Sequence, residues 1–344
     1  MKRMKTTEAV GQVLCHDITQ IIPGVTKDAV FRKGHIIREE DIPVLLSVGK
    51  DSVYIWENDE TMMHENDAAE VLYRMTANEH MHPSDVKEGK IEAIADTEGL
   101  LKVDREKLKK VNAFGEMMIA TRHGNTVVKK GDKLAGTRII PLVIKKDKMQ
   151  EAEKICDGTP ILKILPFTVK KAAIITTGNE VYHGRIKDAF TPVIEQKIAE
   201  FGAEMMFHEI FDDNDRKITD GCLRAIEAGA DIVFCTGGMS VDPDDKTPLA
   251  IKNTGAEMIS YGSPVLPGAM FLLSYYRKSD KVIPICGLPG CAMYNRRTIF
   301  DLVLPRLMAA DPVTADELAS LGEGGLCLNC KVCTFPNCGF GKGW

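Results

Sequence analysis

The stretch that decides the fold is Cys235–Pro248, "CTGGMSVDPDDKTP". It continues the apolar run Ile232–Phe234, which is typical of a buried strand. Two glycines and a hydroxyl follow in the glycine loop, Thr236–Ser240. Glycines let the backbone approach a ligand closely, and successive main-chain N–H groups in such a turn can bind a phosphate. A plain strand-to-helix turn is the alternative interpretation of the same residues.

Three aspartates come directly after the glycine loop, at Asp242, Asp244 and Asp245. Carboxylates near a helix N-terminus are favourable by roughly 0.3–1 kcal/mol, which explains one or two of them. Three carboxylates beside a phosphate-binding loop would repel an anion unless one of them binds a cation. Mg²⁺ suits such oxygen ligands and bridges carboxylate to phosphate. Asp212 and Asp213, at the end of the preceding strand, can complete such a site.

Strands and helices alternate along the chain from about residue 170. Strand patterns occur in "AAIITTGNE", "EMMFHEIF", "DIVFCTGG" and "KVIPICGLPG", and helix patterns in "TPVIEQKIAEFG", "DRKITDGCLRAIEAG" and "TPLAIKNTG". Thr191 and Thr247 are the predicted N-caps of two of these helices. The alternation predicts a three-layer α/β/α domain with a mostly parallel sheet.

The loops after the predicted strands carry most of the chemistry in this half of the chain. They are "TTGNE", "IFDD", "CTGGMSVDPDD" and "CGLPGC". Ligands of parallel α/β sheets bind outside the carboxyl ends of the strands. The four loops are therefore expected to meet at one edge of the sheet and to form a site there.

The first half of the chain has a less regular pattern. "REEDIPVLLSVG" predicts a short helix that ends at Gly49, and "DSVYIW" predicts a strand, in a smaller mixed α+β N-terminal region. Residues 61–168 predict a mixed, β-rich domain, in which the proline of "TRIIPLVI" predicts an edge strand or a bulge. The expected division is 1–60, 61–168, 169–312 and a C-terminal tail, 313–344.

The composition is that of an ordinary soluble globular protein, with 344 residues, 44% hydrophobic and 27% charged, and a net charge of -5. This length allows two or three domains. The mild negative charge gives no electrostatic reason to expect nucleic acid or an anionic membrane as a partner. The start, "MKRMKTTEAVGQVLCHD", lacks the apolar core of a secretory signal, so a cytoplasmic location is expected.

Four of the ten cysteines form a cysteine tail, "CLNCKVCTFPNC", with the spacing C-x2-C-x2-C-x4-C. They are Cys327, Cys330, Cys333 and Cys338. Four thiols this close can surround one metal ion or cluster, and both zinc and an iron–sulfur cluster suit sulfur ligands. The last gap is longer than in the usual ferredoxin run. A disordered reduced tail and disulfide bonds are the alternative interpretations.

Four motifs resemble those of a known family: "IITTGNEV", a D-x-N-like position after it, "VFCTGGMSVDPDDKTP" and "GLPG". Over about residues 170–310 the chain resembles the molybdopterin-binding domain. That domain is shared by molybdopterin adenylyltransferase, molybdopterin molybdenumtransferase, gephyrin and the CinA-type proteins. The N-terminal stretch "FRKGHIIREEDIPVLLSVGKDSVYIW" resembles the N-terminal domain of the molybdenumtransferase.

The resemblance implies roles for particular residues. Ligand binding is implied for Thr177, Gly178, Glu180, Gly237, Gly238, Ser240, Pro289 and Gly290. Asp245 and Asp212 are implied to be the functional, catalytic carboxylates. In the enzymatic version the glycine loop holds the terminal phosphate of molybdopterin, while Asp212 and Asp245 hold Mg²⁺ or molybdate and so lower the barrier to transfer.

The implied function is biosynthesis or maturation of the molybdenum cofactor, by molybdate insertion or adenylyl transfer. The bound ligand is then a pterin phosphate, as molybdopterin or the molybdenum cofactor, and a molybdoenzyme can receive it from what the family suggests is a homo-oligomer. The chain also departs from the family, since Asn179 replaces the usual aspartate and Cys291 the usual asparagine. A non-catalytic carrier or sensor and a CinA-like nucleotide pyrophosphatase remain alternatives.

Overall fold

The computed structural model describes residues 2–22, 26–55 and 59–343. The strands, in chain order, are β1 (Lys2–Lys5), β2 (Ile18–Ile22), β3 (Thr26–Phe31), β4 (Ser52–Ile55), β5 (Met62–His64), β6 (Met81–Pro83), β7 (Lys90–Ala95), β8 (Gly99–Val103), β9 (Met117–Thr121), β10 (Thr126–Val128), β11 (Lys133–Ile139), β12 (Val143–Lys145), β13 (Leu162–Leu165), β14 (Lys171–Thr177), β15 (Glu204–Phe211), β16 (Ile232–Thr236), β17 (Glu257–Tyr261), β18 (Leu272–Lys278) and β19 (Lys281–Leu288). The helices are α1 (Ile42–Ser47), α2 (Glu65–Thr76), α3 (Arg105–Asn112), α4 (Lys146–Cys156), α5 (Asn179–Tyr182), α6 (Thr191–Ala199), α7 (Asp215–Glu227), α8 (Thr247–Asn253), α9 (Ile299–Met308) and α10 (Ala315–Ser320).

The chain divides into two compact units. The first comprises residues 1–96, 103–122 and 130–163, and the second comprises residues 97–102, 123–129 and 164–344. The finer division into four parts stays a prediction. None of the described helices is long and apolar enough to span a bilayer.

The first unit contains several small antiparallel sheets. Its four-stranded sheet has the order β6-β7-β11-β9, and two-stranded sheets pair β1 with β4, β2 with β3, and β5 with β12. The predicted helix before Gly49 is confirmed as α1. The prediction of an edge strand or a bulge for "TRIIPLVI" holds only for its second half. β12 pairs with β5 alone and is an edge strand, whereas β11 lies between β7 and β9, and Pro141 lies between β11 and β12. A proline outside the strand removes no ladder hydrogen bond.

The second unit is built on a six-stranded sheet with the order β15-β14-β16-β19-β18-β17. The pairs β15/β14, β14/β16 and β16/β19 are parallel, and β19/β18 and β18/β17 are antiparallel. The predicted mainly parallel α/β sheet is therefore confirmed. The antiparallel β17 and β18 at one side were not predicted from the sequence.

Helices cover both faces of this sheet. Along β14, Ala172 and Ile174 contribute to one apolar core and Ala173 and Ile175 to the other, since successive side chains of a strand point to opposite faces. The first core includes residues of α6 and α9, and the second includes residues of α7 and α8. The continuous apolar run of β14 is thus explained by burial on both faces.

Two helices begin differently from the prediction. Thr191 and Thr247 are the first residues of α6 and α8, whose N-cap positions are Phe190 and Lys246. The hydroxyl of Thr191 bonds to Asp188, and that of Thr247 donates to the carbonyl of Gly237. Both threonines therefore use their hydroxyls to tie the helix start to a loop at the sheet edge, rather than to cap the helix.

Candidate functional site

The four predicted loops lie at the carboxyl edge of the parallel strands. In the strand register Thr177 pairs with Phe211, Thr176 with Thr236, and Thr236 with Leu288. The four strands thus end side by side, and the loops that follow them leave the sheet at the same edge. The predicted convergence is confirmed by this geometry.

The glycine loop has a backbone that residues with a side chain rarely adopt. Gly237 has φ +82 and Gly238 has φ +54. A Cβ atom on Gly237 would lie 2.1 Å from the carbonyl oxygen of Thr177. One on Gly238 would lie 2.9 Å from Oγ1 of Thr247. Both positions therefore require glycine, and the turn brings the loop after β16 against the loop after β14.

Two buried hydroxyls hold the glycine loop in place. Oγ1 of Thr177 donates to the carbonyl of Thr236 at 3.1 Å and lies 3.0 Å from Oγ1 of Thr247. Thr247 in turn donates to the carbonyl of Gly237 at 2.8 Å. Thr177, predicted to bind ligand, is thus buried and engaged with protein groups. Its geometry supports a positioning role.

Asp245 is hydrogen bonded to the glycine loop. Its Oδ2 accepts from the backbone N–H of Ser240 at 2.8 Å. Ser240 itself is exposed. The carboxylate therefore occupies one N–H of the turn and fixes the end of the glycine loop to the start of the segment before α8.

Carboxylates from three loops form an acidic rim beside the glycine loop. Its members are Glu180, Asp212, Asp213, Asp244 and Asp245. Asp213 accepts a hydrogen bond from the backbone of Asn179 at 3.1 Å. Burial raises the pKa of Asp213, and the charges of Glu180, Asp245 and Asp244 raise it further, against the lowering effect of that hydrogen bond. The rim is therefore a place where negative charge is concentrated and only partly solvated.

Replacing Asp213 with asparagine is expected to raise the melting temperature at about pH 7. The raised pKa means that the folded state binds more protons than the unfolded state, so the contribution of Asp213 to stability falls as the pH rises through its folded pKa. Asparagine keeps an acceptor for the Asn179 N–H and removes the charge. Thermal melts between about pH 4 and 7 test this, with Asp280→Asn in an exposed turn as the control. A lower melting temperature for Asp213→Asn at neutral pH would contradict it.

Asp212 is neutralised by a lysine of the next helix. Its Oδ2 accepts from Nζ of Lys217 at 2.8 Å, and this hydrogen bond raises the pKa of Lys217. Its Oδ1 is buried and has no hydrogen-bond partner among the described residues. The second predicted catalytic carboxylate thus lies at the rim with one oxygen paired and the other unused.

The "GLPG" loop after β19 reaches the same edge. A Cβ on Gly287 would lie 2.5 Å from Cε of Met239, so the strand end packs against the glycine loop. Pro289 is buried, whereas Gly290 is exposed and a Cβ there would meet nothing within 4 Å. Gly178 lies beside Glu180 in the first loop, with φ +130. All the predicted ligand-binding residues therefore belong to this edge, and their binding role stays a proposal.

A polar network next to the site was missed by the sequence reasoning. Asp188 Oδ2 accepts from the hydroxyl of Thr176 at 2.9 Å and also from that of Thr191. Nε2 of His208 lies 3.2 Å from both hydroxyl oxygens. Burial acts to raise the pKa of Asp188, but these hydroxyls and the N–H groups of Thr191 and Phe190 outweigh it and lower the pKa. Asp188 and His208 lie outside the four loops and motifs that were singled out in the sequence, and they meet only because their elements pack together.

The cysteine tail is folded against the second unit. The N–H of Cys327 donates to the carbonyl of Leu266 at 2.8 Å, and the guanidinium of Arg297 lies 4.8 Å from the ring centroid of Phe335. Phe340 is only 5% exposed and belongs to the core of this unit. The interpretation of the tail as disordered is therefore wrong.

The four thiols of the tail differ in exposure. Cys327 and Cys338 are half-buried, Cys330 and Cys333 are exposed, and all four are free thiols. Within residues 2–22, 26–55 and 59–343, no three His, Cys, Asp or Glu side chains are grouped so as to hold a metal ion. Neither the tail nor the acidic rim is a preassembled metal site in that part of the chain.

Comparison with protein families assigns the class of the second unit. Residues 173–309 match the family described as a probable molybdopterin binding domain. This match covers most of the α/β/α domain and confirms the resemblance carried by its motifs. Residues 3–57 match a second family, described only as a domain of unknown function.

Curated relatives of the chain include proteins described as putative competence-damage inducible proteins. The chain is 25% identical over 129 residues to the putative competence-damage inducible protein of Bacillus cereus (strain B4264), which covers 38% of this chain and 30% of that protein. It is 32% identical over 85 residues to the protein of the same description from Bacillus velezensis, with 25% and 20% covered. The chain thus matches less than a third of the length of these relatives.

Two solved structures match the chain over about two fifths of its length. The tungsten cofactor synthesizing protein MoaB from Pyrococcus furiosus is 20% identical, with a TM-score of 0.33, 41% of this chain covered and 89% of that one. The protein CinA from Thermoplasma acidophilum is 16% identical, with a TM-score of 0.33, 40% of this chain covered and 98% of that one. Both scores lie below 0.5, and the fold is assigned from the sheet order and the family match.

Proposed function

We propose that the second unit binds a pterin phosphate, as molybdopterin or the molybdenum cofactor, and that the protein acts in biosynthesis or maturation of that cofactor. The observation that carries the proposal is the backbone of Gly237 and Gly238, held in the left-handed region at the carboxyl edge of the sheet. N–H groups of such a turn suit the phosphate, and the exposed hydroxyl of Ser240 adds a donor. The family match of residues 173–309 supports the choice of a pterin as the ligand.

In the catalytic version of this proposal, the protein is a transferase of the molybdenumtransferase type. Thr177 and Thr247 fix the glycine loop, while Asp245 and Asp212 present carboxylates to the reacting end of the ligand. Mg²⁺ is the proposed cation of the acidic rim, where it would offset the repulsion between carboxylates and phosphate. Molybdate is then the second substrate, a molybdoenzyme the recipient, and the working form a homo-oligomer.

Zinc or an iron–sulfur cluster is the proposed occupant of the cysteine tail. This proposal depends on the spacing of Cys327, Cys330, Cys333 and Cys338. Metal and acid-labile sulfide analysis of protein purified without oxygen tests it. Stoichiometric zinc or iron that disappears when Cys330 and Cys333 are both replaced by serine would support it, and protein free of both would contradict it.

Two other functions are alternatives to the transferase. A non-catalytic carrier would retain molybdopterin in stoichiometric amount without turnover when mixed with molybdate and nucleotide. A CinA-like pyrophosphatase would release AMP from ADP-ribose. Incubating the purified chain with each set of substrates and measuring the products distinguishes the transferase, the carrier and the pyrophosphatase.

Asp245→Asn is expected to reduce transfer about 10²–10⁴-fold while binding of molybdopterin stays measurable. Asparagine keeps an acceptor for the Ser240 N–H, so the glycine loop retains its shape, and only the charge is lost. Single-turnover transfer and equilibrium binding are measured on the same preparation. Asp242→Asn, at an exposed position of the same loop, is the matched control. Unchanged turnover in Asp245→Asn would rule out the role assigned to Asp245.

A further inference from the structure

Tyr182 is an aromatic side chain at the rim of the site that the proposed chemistry does not use. It is the last residue of α5, directly after the first loop of the sheet edge, and its side chain is 46% exposed. Large aromatic side chains are usually buried in the core. A half-exposed ring beside a candidate ligand-binding loop can offer its flat apolar face to a bound molecule. The position of Tyr182 therefore suggests a contact with a ligand.

The ring of Tyr182 is contacted by a lysine of α7 and by the neighbouring histidine. Nζ of Lys217 lies 5.7 Å from the centroid of the ring, and the same Nζ donates to Asp212. The ring of His183 meets Tyr182 edge-on, with centroids 5.2 Å apart. The helix dipole disfavours a lysine in the first turn of a helix. The presence of Lys217 in the first turn of α7 is therefore explained by these contacts rather than by helix stability.

The backbone of Tyr182 is bonded to the loop that packs on the glycine loop. The backbone N–H of Tyr182 donates to the carbonyl of Gly178 at 2.9 Å, and Gly178 follows Thr177, whose carbonyl lies against Gly237. The four residues of α5 span about 6 Å along the helix axis. Tyr182 therefore follows the same sheet edge as the glycine loop, one short helix away from the loop that contacts Gly237.

We propose that Tyr182, clamped by Lys217, is the platform on which the planar nitrogen heteroaromatic ring of the phosphorylated ligand stacks. The inference rests on the proposed function, in that the phosphate of the same ligand lies at Gly237 and Gly238. Stacking on an aromatic side chain recognises the face of the ring and so accepts either a pterin or an adenine. Lys217 contributes by fixing the Tyr182 ring and by supplying positive charge beside the acidic rim.

Isothermal titration of the full chain with molybdopterin, AMP and inorganic phosphate tests the proposal. Tyr182→Leu is expected to weaken binding of the ring-bearing phosphate about ten- to a hundredfold, because one stacked ring contributes about 1–3 kcal/mol. Tyr182→Phe keeps the ring and is expected to bind within about threefold of the wild type. Neither change is expected to alter the binding of inorganic phosphate. The half-exposed position means that both variants fold, which circular dichroism checks.

The outcomes separate this inference from the proposed function. Loss of affinity for molybdopterin alone identifies the stacked ring as a pterin, and loss for AMP alone identifies it as an adenine. If Tyr182→Leu binds both like the wild type while Gly237→Ala loses binding, the stacking role is overturned and the proposed function stands. If the wild type binds neither ring-bearing phosphate, both proposals fail.

Discussion

Gly237→Ala is expected to lower the affinity for molybdopterin at least about a hundredfold. An alanine Cβ would lie 2.1 Å from the carbonyl oxygen of Thr177, so the glycine loop or the end of β14 must move. The backbone at φ +82 adds strain, since L residues with a side chain rarely adopt it. Displacement of a binding group by about 1 Å is enough for a loss of this size. Equilibrium titration with molybdopterin is the measurement.

The control for this variant is Gly136→Ala. Gly136 lies in β11, has no positive φ, and a Cβ there would meet nothing within 4 Å. It is expected to leave binding unchanged. A Gly237→Ala protein that melts like the wild type and binds molybdopterin equally well would show that the ligand does not use this turn. A variant that folds but no longer binds agrees with the proposed site.

Asp301→Ala is expected to destabilise the second unit by about 3–5 kcal/mol, the cost of leaving a buried ion pair without one partner. The Asp301 carboxylate is only 4% exposed and contacts Nζ of Lys197 and, at 2.8 Å, NH1 of Arg297. It also accepts from the N–H of Thr298 at the start of α9, where it completes a capping box. Urea denaturation followed by circular dichroism measures the loss.

The matched control is Glu257→Ala, which removes an exposed ion pair in the same unit. Glu257 and Arg277 have side chains that are 58% and 68% exposed. Exposed pairs contribute little, so the free energy of unfolding is expected to change by about 0.5 kcal/mol or less. Equal losses for Asp301→Ala and Glu257→Ala would contradict the role given to the buried charge of Asp301.

Some features of the site follow from local sequence alone. The apolar runs before Gly178 and Gly237 predict strands buried on both faces, and the strand–helix alternation predicts a parallel sheet with its loops at one edge. The structure agrees because each of these signals depends on the residue's own neighbours along the chain. The glycines of the loop are also predictable from local sequence, because glycine is the residue that most readily adopts a positive φ.

Other features depend on residues that are distant in the sequence. Thr177 and Thr247 are seventy residues apart, and their hydroxyls meet because two loops pack at the same edge. Each threonine in isolation fitted a different role, as a ligand contact and as a helix cap. Only the packing showed that both hydroxyls serve to hold the glycine loop.

The sequence by itself determined the mainly parallel α/β domain, the family that it resembles and the edge at which the four loops meet. Strand patterns, glycine turns and helix starts depend on short stretches of sequence. The tertiary structure alone decided that Lys217 neutralises Asp212 and clamps Tyr182, and that the cysteine tail packs on the core. The physical reason is that a side chain's partner is set by which elements pack together. Spacing along the chain does not contain that information.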